Sequence, residues 1–510
     1  MAYYLTTPIY YVNAEPHIGH AYTTVVADAL ARFHRLLGVE TFFQTGTDEH
    51  GEKVMEAARE AGLPVREFVD RISALFRQTW DSLDVSYDAF IRTTASEHVQ
   101  VVQQVLSRVH EAGDIYFGEY GGLYCFGCER FYLERELEGG LCPDHRLAPT
   151  YLKEENYFFR MSRYQGWLLD FIADYPDWIR PERYKNEVVA FLKEPLEDLC
   201  ISRPRRRLEW GIPLPFDERY VTYVWFDALL NYLSGLGYPE GAGFKKFWPG
   251  AHHLIAKDIL KPHAIYWPTM LRAAGVEPFQ HLQVHGYWQM AQGKMSKSLG
   301  NVVDPRALAA LYGVDQVRYF FLREMVFGLD AQFSEAALTA RINADLANDL
   351  GNLFARTLSM AFKYRQGVVP PPGVPQAVDK EVAAAAQEMA ADFLQYFPAL
   401  EFPKALARLW EFIGHLNRYI VNCAPWELAK REEEARRLDT VLYHLLEGLR
   451  WIAALLKPVM PGSALKMSEQ LGLGLALWDH PLTQVLKWGR LLPGGPLKKG
   501  PALFPRIEGE

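Results

Sequence analysis

Tyr3-Tyr4-Leu5-Thr6-Thr7, then Asn13-Ala14-Glu15-Pro16, then His17-Ile18-Gly19-His20 running on to Leu37 and Gly38, is the stretch whose reading decides the fold. The first five residues are aromatic and β-branched and read as a strand. The Asn-to-Pro cluster is a turn. From Gly19 to Leu37 apolar residues recur at helical period, and Gly38 stops the run. Strand, turn and helix in that order open a parallel α/β sheet. His17 and His20 stand three apart on one face of the first helical turn. A helix N-terminus attracts phosphate through unpaired N–H groups and the positive end of its dipole. Two imidazoles there can donate to phosphoryl oxygens as a transition state gathers charge, and Gly19 leaves room for a flat base. Alone, the pair also fits two surface histidines.

A second string narrows the choice. Lys294-Met295-Ser296-Lys297-Ser298 lies between Gln292-Gly293 and Gly300-Asn301 with no apolar period, which predicts a mobile loop. A helix restarts with Asp304 as cap and Pro305 in first position, and stops at Gly313. Two lysines three apart on such a loop can close over a β,γ-pyrophosphate and neutralise it as it leaves. Together the two strings imply a bound nucleoside triphosphate attacked at its α-phosphate.

A metal site is written in the cysteines. Cys125-Phe126-Gly127-Cys128 and Cys142-Pro143-Asp144-His145 form two knuckles offering four soft ligands, a zinc pattern. All four positions are protein, leaving no place for an activated water, so one structural Zn²⁺ is expected, supplying folding energy to a Gly-rich segment. Cys200 and Cys423 read as buried small hydrophobes. This cysteine usage fits a reducing, cytoplasmic setting. At 510 residues and 49% hydrophobic, the chain has room for about three domains. No run reaches the ~18 apolar residues of a membrane span, and no signal peptide is visible. The net charge of −8 does not advertise nucleic-acid binding, so any RNA footprint must be local. Arg203-Pro204-Arg205-Arg206-Arg207 is one candidate, though as a solvated loop it needs no partner.

The two strings resemble the HIGH and KMSKS signatures of class I aminoacyl-tRNA synthetases, and nearly the whole chain resembles the methionyl-tRNA synthetase family. Ile9-Tyr10-Tyr11-Val12-Asn13, Gly46-Thr47-Asp48-Glu49-His50-Gly51 and Tyr223-Val224-Trp225-Phe226-Asp227-Ala228-Leu229-Leu230-Asn231-Tyr232 carry the narrower likeness. The resemblance implies ATP with Mg²⁺, L-methionine and tRNA(Met), initiator tRNA included, as substrates. It assigns His17, His20, Lys294 and Lys297 to catalysis, and those four with Gly19, Lys257, Asp258 and Ser296 to ATP. Asp48 would hold the methionine amino group, and Ile9, Tyr11, Trp225, Ala228, Leu229, Tyr232 and His263 would line the thioether pocket. Leu229 stands where the enterobacterial-type pattern tends to have proline, and Ala256 replaces the glycine of the family's Gly-Lys-Asp-Ile. Asn352, Arg356 and Trp426 would read the CAU anticodon by hydrogen bonding and stacking.

The expected organisation is α/β. A Rossmann-type parallel sheet spans 1–114 and 220–290, split by a zinc-bearing insertion at 115–219. The phosphate loop and its stem-contact segment follow at 291–340, then an all-α anticodon-binding bundle at 341–489 and an extended tail at 490–510. Glu432-Glu433-Glu434 with Arg436-Arg437 reads as a solvated helix start. Two other functions share parts of this pattern. A small-molecule nucleotidylyltransferase has the same phosphate logic but does not need the bundle. A non-catalytic zinc-bearing RNA binder does not need both phosphate strings. Sheet and zinc segment fill most of the stretch between His20 and Lys294, leaving no room for a large editing insertion. Among class I synthetases this favours one that rejects valine and isoleucine in its pocket. Many members of the family append a C-terminal β-barrel; none follows Glu510, so a monomer is expected of the chain as it stands.

Overall fold

The computed structural model describes residues 2–125, 130–132, 134–143, 146–290, 293–294 and 303–507. A six-stranded sheet, parallel throughout, positions the site. Its strands are β1 (Tyr3–Tyr11), β2 (Thr41–Asp48), β3 (Ala89–Arg92), β4 (Ile179–Arg180), β5 (Ala251–Ala256) and β6 (His281–His285), in the order β3-β2-β1-β5-β6-β4. The strand order reverses between β1 and β5, and open α/β sheets bind ligands in the crevice beyond the carboxyl ends at that point.

β1 is longer than the aromatic run suggests. Pairing with β2 slips between Thr6 and Ile9, around Pro8, which has no N–H to give. It then resumes as Ile9↔Gly46, Tyr10↔Thr47 and Tyr11↔Asp48. The slip carries the strand on to its functional end. α1 (Ile18–Leu36) follows, and Ala21, Val25, Ala29 and Phe33 are among its buried residues.

Within the span read as an insertion, Ile115–Cys125 pairs antiparallel with Thr150–Phe159 and, near its end, with Arg130–Tyr132. The same span also lends β4 to the catalytic sheet, a strand too short to leave a periodic signal. The arginine run is not a solvated loop. Arg203 is buried in the strand Ser202–Pro204, with its guanidinium 3.5 Å from the centre of the Tyr223 ring. Arg207 pairs with Glu52 and Glu154, which leaves only Arg205 and Arg206 exposed. The two isolated cysteines are half-buried rather than core, and each thiol faces an arginine: Arg203 reaches Cys200 Sγ at 3.0 Å and Arg437 reaches Cys423 Sγ at 3.5 Å.

Beyond the sheet, α2 (Val314–Glu324) leads to a π-helical stretch, Ile342–Gly351, continuous with α3 (Asn352–Arg365). α4 (Ala377–Tyr396), α5 (Phe402–Cys423) and α6 (Ala435–Leu456) complete the bundle. Leu406, Leu409, Ile413, Leu416 and Ile420 bury one stripe of α5 at helical spacing. The bundle and the sheet share one core, in which Phe33 of α1 packs against Phe393 and Phe397 at ring separations of 6.4 and 4.9 Å. The tail is extended and docked. Val369 N donates to Gly495 O and Leu497 N to Gly367 O, and Leu503 and Phe504 are buried. Among the described residues no helix is long and apolar enough to cross a membrane.

Candidate active site

At the switch point the two histidines cap α1. His17 is the N-cap, and its Nδ1 accepts from Gly19 N at 3.0 Å; His20 Nδ1 accepts from His17 N at 3.3 Å. Their rings stack at 3.8 Å. Capping has a chemical consequence. With Nδ1 committed as an acceptor, the neutral imidazole must carry its proton on Nε2. Burial and the neighbouring His17 hold the His20 imidazole well below the ordinary histidine range, so it stays neutral near pH 7.

One sequence expectation changes here. The helix start does not present a row of unpaired amides, because Gly19 N meets His17 and Ile18 N donates to Val303 O at 3.2 Å. At Gly19 a Cβ would lie 2.9 Å from His17 Cε1, so the capping imidazole itself calls for glycine.

The acceptor side of the crevice forms around β2. Asp48 ends the strand, largely buried, directly across from Tyr11, and Val12 N donates to its carbonyl. Ile9 is half-buried two residues earlier. On the facing wall the helical turn Trp225–Ala228 leaves Trp225 partly exposed and buries Ala228 and Leu229. Tyr232 and His263 meet, Oη to Nε2, at 2.7 Å. His263 lies in a π-helical segment, Pro262–Tyr266, an irregularity typical of functional sites. Its Nδ1 donates to Ile259 O, and burial lowers its pKa to about 4. Beyond β5, Lys257 pairs with Asp330 at 2.7 Å and lies 4.6 Å from the centre of the Tyr287 ring, while Asp258 is exposed. Ala256 takes ordinary extended angles, φ −83° and ψ 155°, so the alanine in place of glycine brings no backbone strain.

Lys294 opens its segment from a strand rather than a loop. Gly293–Lys294 pairs antiparallel with Trp288–Met290, placing Lys294 opposite Gln289. Ser296 and Lys297 lie outside the described residues. So do Cys128 and His145, two of the four expected metal ligands. The other two, Cys125 and Cys142, are buried together with Tyr132 in a small cluster of their own, and Cys142 Sγ lies 3.4 Å from Tyr132 Oη. In the bundle Asn352 and Arg356 are exposed on one face at the start of α3, and Trp426, 39% exposed, follows the bend at Ala424-Pro425.

The sequence reading passed over a buried polar network behind the pocket, in which Asp227 joins His50 and His98 and Gln44 joins Asn231. Asp227, His50 and Asn231 stand inside the quoted motifs, which was the available signal.

The family model described as class I tRNA synthetases (M) matches residues 3–150 and 146–358, and the one described as the anticodon-binding domain of methionyl-tRNA ligase matches 369–510. The methionine–tRNA ligase of Caldanaerobacter subterraneus subsp. tengcongensis is 47% identical over 100% of this chain and 79% of its own. The chain belongs to the methionine–tRNA ligases. The Deinococcus radiodurans ligase is likewise 47% identical, over 99% of this chain and 74% of its own. The Mycobacterium tuberculosis methionyl-tRNA synthetase, solved in complex with methionyl-adenylate, superposes with a TM-score of 0.94 at 42% identity, covering 99% of this chain and 100% of that one. That likeness in fold extends across both the parallel-sheet catalytic domain and the helical anticodon-binding domain.

Proposed function

We propose that the chain attaches L-methionine to tRNA(Met) in two steps: methionine carboxylate attacks the α-phosphate of ATP, releasing pyrophosphate, and the methionyl group then passes to the 3′-terminal adenosine of the tRNA. One observation carries the reading. The capped pair His17–His20 stands at the switch point, with its Nδ1 atoms tied to backbone, beside the Tyr11–Asp48 strand ends.

In this reading Asp48 pairs with the α-ammonium of methionine. Ile9, Tyr11, Trp225, Ala228, Leu229, Tyr232 and His263 surround the thioether. His17 and His20 donate through Nε2 to the phosphoryl oxygens. These donors are fixed before reaction and need no reorganisation as charge develops. Lys294 and Lys297, with Ser296, neutralise the departing pyrophosphate, and Mg²⁺ enters with ATP as part of the substrate. Lys257 and Asp258 lie by the ribose. Asn352, Arg356 and Trp426 read the CAU anticodon. Because elongator and initiator tRNA(Met) share that anticodon, both are substrates.

Zn²⁺ fits the thiols present. Cys125 and Cys142 are buried with little core around them, a segment a metal would hold together; with Cys128 and His145 they would bind it as a structural ion. About one zinc per chain in protein purified without chelator supports this, and a content near zero counts against it. A cysteine pattern that suits a metal rather than disulfides fits a reducing compartment such as the cytoplasm.

ATP–pyrophosphate exchange stimulated by each amino acid in turn tests the activity. Stimulation by methionine far above valine, isoleucine or leucine is the expected result. Exchange with no amino acid dependence would instead favour a small-molecule nucleotidylyltransferase.

A further inference from the structure

We infer that His50, Asp227 and His98 form a positioning clamp that joins the two walls of the methionine subsite and thereby sets affinity for the amino acid; this inference rests on the function proposed above. Asp227 is 1% exposed and sits in the helical turn that carries Trp225 and Ala228. One carboxylate oxygen faces His50 Nδ1 at 2.7 Å and the other His98 Nε2 at 2.8 Å. His98 Nδ1 in turn lies 2.8 Å from Ser234 Oγ. His50 stands two residues beyond Asp48, at the end of β2, so the Asp227–His50 bond runs directly from the thioether wall to the ammonium wall. His98 comes from the helix Ser96–Glu111 that follows β3, and braces Asp227 from behind.

Asp227, a carboxylate, accepts from His50 Nδ1 and His98 Nε2, while the Ser234 hydroxyl beside His98 Nδ1 also donates to Asn231 O at 3.3 Å. The carboxylate stays charged. Burial by itself would raise its pKa, but His50 and His98 more than offset that and hold it at about 2.

Such an arrangement is a poor way to gain stability. A buried carboxylate carries a large desolvation cost, and apolar side chains of similar volume hold two elements together equally well. What hydrogen bonds add is direction and length. The turn needs both, because Val224 at its entry is forced to φ 25° and ψ −79°, a strained conformation for a β-branched residue. The clamp ties that turn to His50, two residues beyond Asp48.

The test measures KM for methionine and for ATP separately in the exchange assay, alongside melting temperature. His50→Leu removes the donor and keeps apolar bulk; His50→Asn returns an amide nitrogen to the place of Nδ1. In His50→Leu, KM for methionine should rise on the order of tenfold with KM for ATP little moved, while the melting temperature falls because a buried carboxylate loses one donor. His50→Asn should recover most of that loss. A methionine KM unchanged in His50→Leu overturns the clamp. So does an equal rise for both substrates, or an Asn variant as impaired as the Leu variant. Should His50→Leu not fold, Ser234→Ala carries the test, since it removes only the far hydroxyl: KM for methionine must rise while KM for ATP stays, and no rise overturns the clamp. Absence of methionine-dependent exchange in the unmodified protein would instead overturn the functional reading.

Discussion

His263 shows how a single residue ties the pocket to pH. It is buried, donates from Nδ1 to Ile259 O and meets Tyr232 Oη through Nε2, so its neutral form is the one the fold accepts. Its pKa in the folded protein is about 4, against roughly 6.5 in an unfolded chain. Between these values the unfolded state binds the extra proton. The contribution to stability is therefore complete above about pH 6.5 and is lost as pH falls toward 4. His34 and His285, also lowered to about 4, act in the same sense. His263→Gln keeps an acceptor for Tyr232 but cannot titrate. Its unfolding free energy should fall less steeply from pH 6.5 to 4, by up to one proton, or about 1.4 kcal/mol per pH unit. Urea titrations at several pH values measure this, and identical slopes would show that His263 is not held neutral. At this scale the sequence spoke clearly where chemistry is local. His17 and His20 could be placed on a helix start from spacing alone. That each caps the other's turn through Nδ1 could not, because capping depends on side-chain rotamers. Nor could the partners of Asp227, which come from 129 and 177 residues away.

Elements carry the recognition half of the molecule. α5 ends at Ala424 in a left-handed conformation, φ 42° and ψ 62°, Pro425 starts the next turn, and Trp426 follows with its side chain partly in solvent. The corner is held from beneath. Buried Asp379 accepts from both Arg437 and Tyr419, so Arg437, read from sequence as part of a solvated helix start, is in fact turned inward. A supported backbone with a partly exposed indole is what a stacking platform needs, and stacking one base contributes roughly 1–3 kcal/mol. Trp426→Ala should weaken tRNA charging by about one to two orders of magnitude. Methionine-dependent exchange and the melting temperature should stay near those of the unmodified protein. If both activities fall together with the melting temperature, the indole is packing the bundle. That this half is all-α was legible, since apolar stripes at helical period run through it. The π-helix at Ile342–Gly351 was not, because over ten residues its apolar spacing is indistinguishable from an α-helix. The strand at Gly293–Lys294 was too short to show any period.

Over the whole molecule, the plan of sheet, cysteine-bearing segment and bundle was legible because each part changes the hydrophobic period. The joint between sheet and bundle was not, because the shared core and a buried ion pair within it join residues far apart in the chain. Arg318 of α2 is fully buried with its partner Asp28 of α1, at 2.6 Å. It also donates to the carbonyls of Val459, Leu83 and Pro458 at 3.0, 3.1 and 3.2 Å. One guanidinium thus ties the helix capped by His17 to the segment just beyond α6, whose other end holds Arg437 beneath the Trp426 corner. Only a planar group with five donors can reach all of these at once. Arg318→Met would leave three buried carbonyls without this donor and Asp28 with Arg32 and Ser86 alone. Removing one partner of a buried ion pair typically costs about 3–5 kcal/mol. Because sheet and bundle share a core, the unmodified protein should lose both in one denaturant transition. In Arg318→Met the transition should move to lower denaturant and split, with the bundle separating first, and tRNA charging should fall further than methionine-dependent exchange. Charging needs the two halves held in register, whereas exchange needs only the sheet. A variant that unfolds in one step at the original midpoint, or loses both activities equally, would show that the shared apolar core holds the halves together without Arg318.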